Sequence, residues 1–169
     1  HIRKTIEHFF NIAPQGIPCW SFSNHDVIRH VSRWAAHGSS PEALAKQTAA
    51  LLLSLEGSIC LFQGEELGQL ETEMEFSELT DPVGIRFWPE NKGRDGCRTP
   101  MSWDSSLENA GFSEVDPWLP VKKPQLERAV EQQKNKDSVL SFYREMLKFR
   151  KNSSALSEGR TVFYDSDEP

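Results

Sequence analysis

With 169 residues, 37% of them hydrophobic, the chain has the length of one ordinary domain and apolar surface enough for a core, which excludes a disordered polypeptide. Its 19 basic against 25 acidic residues give a formal charge of −6, unfavourable beside a phosphate backbone, and no Lys/Arg-rich stripe interrupts it, so no nucleic-acid partner is expected. The longest apolar run, residues 49–53, is far below the roughly 20 residues of a membrane span and no charged-then-apolar leader opens the chain, so no membrane partner is expected either.

The first element in chain order is a helix over residues 3–10, inside which the chain opens without an initiator Met, so a preceding leader stays an open matter. Residues 17–23 are short, apolar and aromatic, bounded by Gly16 and by the polar Asn24-His25-Asp26, and read as a buried strand. Ser39-Ser40-Pro41-Glu42 reads as a helix start, with Ser40 as N-cap, Pro41 at the first helical position and Glu42 complementing the positive dipole end. Leu44, Thr48, Leu51, Leu52 and Leu55 then share a face, and Gly57 supplies a stop. Residues 58–62 read as a second buried strand, ending in the polar turn Gln63-Gly64-Glu65-Glu66. Strand, helix, strand implies a parallel crossover that delivers both polar strand ends to the sheet edge where sites of α/β proteins lie.

Residues 71–136 carry most of the prolines and read as a long loop, usually functional at this length. An amphipathic helix follows, with Asp137 as its expected N-cap and Val139, Tyr143, Met146, Leu147 and Arg150 on one face; the stripe from Phe142 to Phe149 reads as core. Residues 160–164 are expected to begin another strand. Cys19, Cys60 and Cys97 fit neither a disulfide framework nor a zinc pattern; free thiols suit a reducing compartment, and the expected location is cytoplasmic.

The strongest local signal is Phe22-Ser23-Asn24-His25-Asp26 with Arg29 three residues on. A buried strand ending in His-Asp suggests a sugar site, because a carboxylate can accept hydrogen bonds from adjacent hydroxyls and stabilise a developing oxocarbenium ion, while imidazole donates to another hydroxyl. Alone, the triplet better describes a capping Asp beside a satisfied His at a strand end.

The ordered segments Phe22-Ser23-Asn24-His25-Asp26, then residues 62–68 (Phe-Gln-Gly-Glu-Glu-Leu-Gly), then residues 93–101 (Gly-Arg-Asp-Gly-Cys-Arg-Thr-Pro-Met) with Trp103-Asp104, then Pro117-Trp118-Leu119-Pro120-Val121, resemble the α-amylase superfamily of retaining glycosidases. Within it the chain is most similar to bacterial α-glucosidases and oligo-1,6-glucosidases. The resemblance implies an α/β fold, part of a (β/α)8 TIM barrel: about strands 7 and 8 with their helices and a long loop over residues 1–156, and the start of a C-terminal β domain over 157–169. It implies that Asp26 is the catalytic carboxylate that stabilises the transition state without bonding covalently and grips the 2- and 3-hydroxyls. His25 becomes a donor to the same sugar, and Arg94 an arginine that closes the pocket around a terminal glucose. Arg29 either lines the site edge or pairs with a carboxylate to hold the turn, and Glu65 and Glu66 are structural. Phe87 and Trp88 either stack on a sugar or pack locally, and Arg98 anchors its loop.

The resemblance implies no cofactor in this region, with calcium an option for the remainder of the domain. The expected partners are an α-glucoside disaccharide or oligosaccharide and that remainder. No segment here resembles those carrying the nucleophile and the acid/base of a retaining glycosidase, so the chain alone is expected to be inactive. Two rival readings stand beside hydrolysis. One is a transglycosylase or isomerase on the same scaffold, such as a trehalose-forming enzyme; the other is a non-catalytic barrel relative, against which the intact Asn24-His25-Asp26 and Gly93-Arg94-Asp95 argue.

Overall fold

The computed structural model describes residues 2–35 and 40–165; Ser39 of the expected helix start and residues 166–169 of the expected β domain lie outside the described residues. Helix α1 (Ile2–Ile12) leads to strand β1 (Cys19–Trp20), helices α2 (His30–Trp34) and α3 (Pro41–Ser54) and strand β2 (Ser58–Ile59). Helices α4 (Pro82–Phe87), α5 (Lys123–Leu126), α6 (Val139–Asn152) and α7 (Ser154–Ser157) follow, with short 3₁₀ turns between them.

Helix α3 starts where its sequence dictates. The Ser40 hydroxyl accepts the Ala43 N–H at 3.1 Å, and Pro41 occupies the first turn, where no N–H is missed. Its buried stripe is Leu44, Ala45, Thr48, Ala49, Leu52 and Leu53, whereas Leu51, expected on that face, is exposed: at about 100° per residue it falls just past the Leu44 edge. One flank of the stripe packs on Val31 of α2 and on Val139 and Tyr143 of α6; Leu52 and Leu55 pack with Ile6 of α1. After the helix, Gly57 adopts φ +99° against Pro18, where a Cβ would come within 2.7 Å of the proline ring. The turn from α3 into β2 therefore needs glycine.

The two strands pair in parallel, Cys19 with Ser58 and Trp20 with Ile59, as the crossover requires. They are far shorter than the expected strands over 17–23 and 58–62, and they are not buried. Cys19 and Ser58 are exposed, because each strand has a partner on one side only among the described residues.

In α6 the N-cap is Ser138 rather than Asp137: the Ser138 hydroxyl accepts the Ser141 N–H at 3.1 Å. Val139, Leu140 and Tyr143 are buried and Phe142 and Met146 pack against them, but Leu147 and Phe149 are exposed, so the core stripe stops a turn earlier than expected. Arg150 ends the helix by donating to the carbonyls of Leu53, Leu55 and Gly57 at 2.6–2.8 Å, which satisfies acceptors around the end of α3. Residues 160–164 form no strand; Phe163 packs against the cluster of Ile6, Leu52 and Leu55. All three cysteines are free thiols. No helix among the described residues is long and apolar enough to cross a membrane.

Candidate active site

Because β1 and β2 are parallel, the segments that follow them leave the sheet at one end. After β1 the chain turns at residues 25–26, where Asn24 Oδ1 accepts the Asp26 N–H at 2.8 Å, a side-chain mimic of a backbone turn. Beneath it the Ser23 hydroxyl accepts the His30 N–H at 2.9 Å, and His30 Nε2 lies 2.9 Å from the Thr48 hydroxyl, so the loop is pinned to both α2 and α3.

The Asp26 side chain is half exposed and caps no helix. Its Oδ1 accepts from Arg94 Nη1 and from Arg98 Nη2, each at 3.1 Å, and its Oδ2 lies 3.2 Å from His25 Nε2. The hydrogen bond from Arg94 leads the causes that hold the Asp26 carboxyl below the ordinary carboxylate range. Arg98 also donates from Nε to the His25 carbonyl at 2.8 Å, so one guanidinium fixes both the carboxylate and the backbone that carries it.

Arg94 is itself held from behind. Its Nε and Nη2 donate to the two oxygens of Asp81 at 2.8 and 3.2 Å, a side-on pair. Asp81 also accepts the Arg94 N–H and the Val83 N–H, and the Arg94 contact dominates the forces that lower its carboxyl. Asp95 accepts the backbone N–H groups of Thr80 and Asp81 at 2.6 and 2.8 Å, which binds the two turns to each other. Three of the five guanidinium N–H groups of Arg94 are thus engaged, leaving one on each terminal nitrogen for another acceptor.

Arg29 lies elsewhere, buried at 2% exposure. Its guanidinium donates to the Gln63 and Cys97 carbonyls at 2.8 and 2.9 Å, joining the loops after the two strands to the Arg94 turn. Glu65 is equally buried, accepting the Phe62 N–H, and Glu66 accepts the Gly64 N–H, with burial raising its carboxyl pKa. Trp88 packs beside Met74, Leu79 and Leu119 and tilts against Phe76, while Phe87 is exposed beneath Arg86.

The geometry brings Asp26, His25 and Arg94 together. It adds Arg98 and Asp81, whose parts in the cluster the sequence did not disclose. For Asp81 a signal existed, since Asp81-Pro82 is a helix start and its Oδ1 does cap α4. A cavity of about 430 Å³ opens at this place, lined by Asp26, Glu71, Arg94 and Cys97 on its polar side and by Ile28 and Val83 on its apolar side. Among the described residues no group of three or more His, Cys, Asp or Glu is gathered to hold a metal ion.

The sequence model of the family described as Alpha amylase, catalytic domain, matches residues 2–159. The chain belongs to that family. Its α-amylase-family relatives include a probable alpha-glucosidase of Rhizobium meliloti, 49% identical over 98% of this chain and 30% of that protein. An oligo-1,6-glucosidase of Heyndrickxia coagulans is 33% identical over 95% of the chain and 32% of its own length. The crystal structure of the alpha-glucosyl transfer enzyme XgtA superposes with a TM-score of 0.91 at 50% identity, over 99% of this chain and 31% of that one. The isomaltulose synthase of Erwinia rhapontici superposes with a TM-score of 0.79 at 27% identity, over 92% and 31%. The chain therefore spans about a third of the length of the α-amylase-family proteins it matches.

Proposed function

We propose that this chain is the segment of a retaining α-glucosidase-type glycoside hydrolase that supplies one carboxylate of its site, and that it contributes about strands 7 and 8 of the (β/α)8 barrel. The observation that carries the reading is Asp26: a carboxylate open to a cavity of about 430 Å³, yet fixed by two guanidinium groups and kept ionised by them. As a glycosidic bond breaks, positive charge gathers at the anomeric carbon, and a pre-oriented anion beside it is favoured more in the transition state than before it. Asp26 takes that part, and His25 and the free N–H groups of Arg94 donate to hydroxyls of the terminal glucose. Arg29 holds the turn rather than the sugar, consistent with its burial among backbone carbonyls.

A retaining glycosidase also needs a nucleophile and an acid/base about 5–5.5 Å apart. In this reading both come from the longer protein, and the isolated chain is inactive. In the same reading residues 1–156 belong to the barrel and residues 157–169 begin a β domain.

The test is the initial rate of p-nitrophenol release from p-nitrophenyl α-glucoside by the full-length protein and its Asp26→Asn variant. We expect the parent to release it and the variant to lose about 10²- to 10³-fold in kcat, the scale seen when one electrostatic stabiliser is removed. A variant as fast as its parent would sink the role of Asp26; an inactive parent would sink the substrate class. A second reading is favoured by the 50% identity to XgtA and the likeness to isomaltulose synthase: transfer of the glucosyl group to another sugar instead of water. Product analysis at high substrate concentration separates the two, with oligosaccharides or isomers rather than free glucose marking transfer.

A further inference from the structure

Glu71 stands where three loops meet. Its Oε2 accepts the Arg29 N–H at 2.9 Å, and its own N–H donates to the Ser32 hydroxyl at 2.7 Å, so it grips the segment that leaves Asp26 for α2. On its other side lies the turn that carries Arg94 and Arg98. A Cβ built on Gly96 would come within 2.5 Å of Glu71 Oε1 and 2.6 Å of the Thr72 carbonyl, and the Thr72 N–H donates to the Gly96 carbonyl at 3.0 Å. The two arms of the cluster, Asp26 on one and Arg94 with Arg98 on the other, therefore both abut a single carboxylate. That carboxylate also lines the cavity that Asp26 and Arg94 share.

We propose that Glu71 is a positioning residue for the glycosidase chemistry, a strut whose reach to the Arg29 N–H sets the separation between Asp26 and the Arg94–Arg98 pair. The proposal rests on the assignment of Asp26 as the stabilising carboxylate. It differs from a charge-balancing role for the buried Arg29 guanidinium, which makes no ion pair within 4.0 Å among the described residues and whose strongest Coulombic neighbour is Glu71. A shift of about 1 Å in a catalytic group costs up to about 100-fold in rate.

Two conservative substitutions in the full-length protein separate reach from charge. Glu71→Gln keeps the length and an oxygen for the Arg29 N–H but loses the charge; Glu71→Asp keeps the charge and withdraws the oxygen by one methylene. The strut predicts that Glu71→Gln stays within about threefold of the parent in kcat, while Glu71→Asp falls about 10- to 100-fold with KM moved less than about threefold. The opposite order, or equal activity of the two variants, overturns it. A parent that hydrolyses α-glucoside while the variants run in the opposite order refutes the strut alone. A parent that turns over no α-glucoside refutes the glycosidase reading and the strut with it.

Discussion

Asp81 shows how far the hold on one residue extends. Its side chain is buried, while the guanidinium it holds is 40% exposed, so the pair is partly screened by solvent. For Asp81→Asn we expect a loss of about 1–2 kcal/mol in unfolding free energy, the scale of hydrogen bonds to a charged group reduced by that screening. The pH dependence follows from the direction of the shift. The folded state lowers the Asp81 carboxyl below its unfolded value of about 3.9, so the stabilisation is complete above that value and is lost as pH falls through the lower folded one. Urea midpoints of parent and variant should therefore differ by a constant amount above about pH 5 and converge in more acidic solution. Midpoints that stay apart at the acid extreme would show that the carboxylate is not what stabilises the turn. The sequence carries the local half of this arrangement, since Asp81-Pro82 announces a helix cap. The resemblance names Asp26 and Arg94 for one pocket, but not that Asp81 holds Arg94 thirteen residues on, nor that Arg94 and Arg98 reach Asp26 across 68 and 72 residues of chain. Such pairs are set by how the loops pack and leave no periodic or spacing signal.

At the scale of elements, α3 is the part whose sequence speaks plainly, because its start is decided within four residues and its buried face by the helical period. Its two kinds of support are expected to differ in weight. Ser40→Ala removes one capping acceptor and should cost about 1 kcal/mol. Leu53→Ala opens a cavity among Val31, Ala49, Val139 and Tyr143 and should cost about 2–5 kcal/mol. Denaturant unfolding of the two variants in the full-length protein checks the ranking, and a larger effect from the cap would mean that packing behind α3 is looser than the burial of Leu53 implies. The strands behave in the opposite way. Residues 17–23 and 58–62 have the composition of buried strands, yet only two residues of each are paired and partly exposed here, since a strand is buried by what lies on both its sides and composition cannot name those neighbours. The same reason explains α6: α3 lies along it from Val139 to Arg150, but its apolar residues run on to Leu147 and Phe149, which stay exposed.

For the molecule as a whole, the question is whether this much chain can stand by itself. Its paired sheet is two residues long on each strand, while Ile17, Val115, Trp118 and Phe149 expose more than half of their surface and Leu107 and Ile28 do the same. Large apolar side chains scattered singly are ordinary on a protein surface, but an isolated parallel pair with open strand edges is not a stable sheet. The two buried clusters around α3 are built mainly from helices α1, α2, α3 and α6, so helical structure is expected to survive where fixed sheet packing does not. The chain expressed alone should therefore show helical far-ultraviolet dichroism, weak near-ultraviolet dichroism, strong binding of an apolar dye and a broad thermal transition, the signature of secondary structure without fixed packing. Mixing it with the remainder of a longer protein should sharpen the transition, and on the proposed reading it should also bring the α-glucosidase activity assigned there to the whole. A sharp, two-state transition of the isolated chain without dye binding would show that the helical clusters suffice, and that the exposed apolar side chains are tolerated surface rather than an unfilled interface.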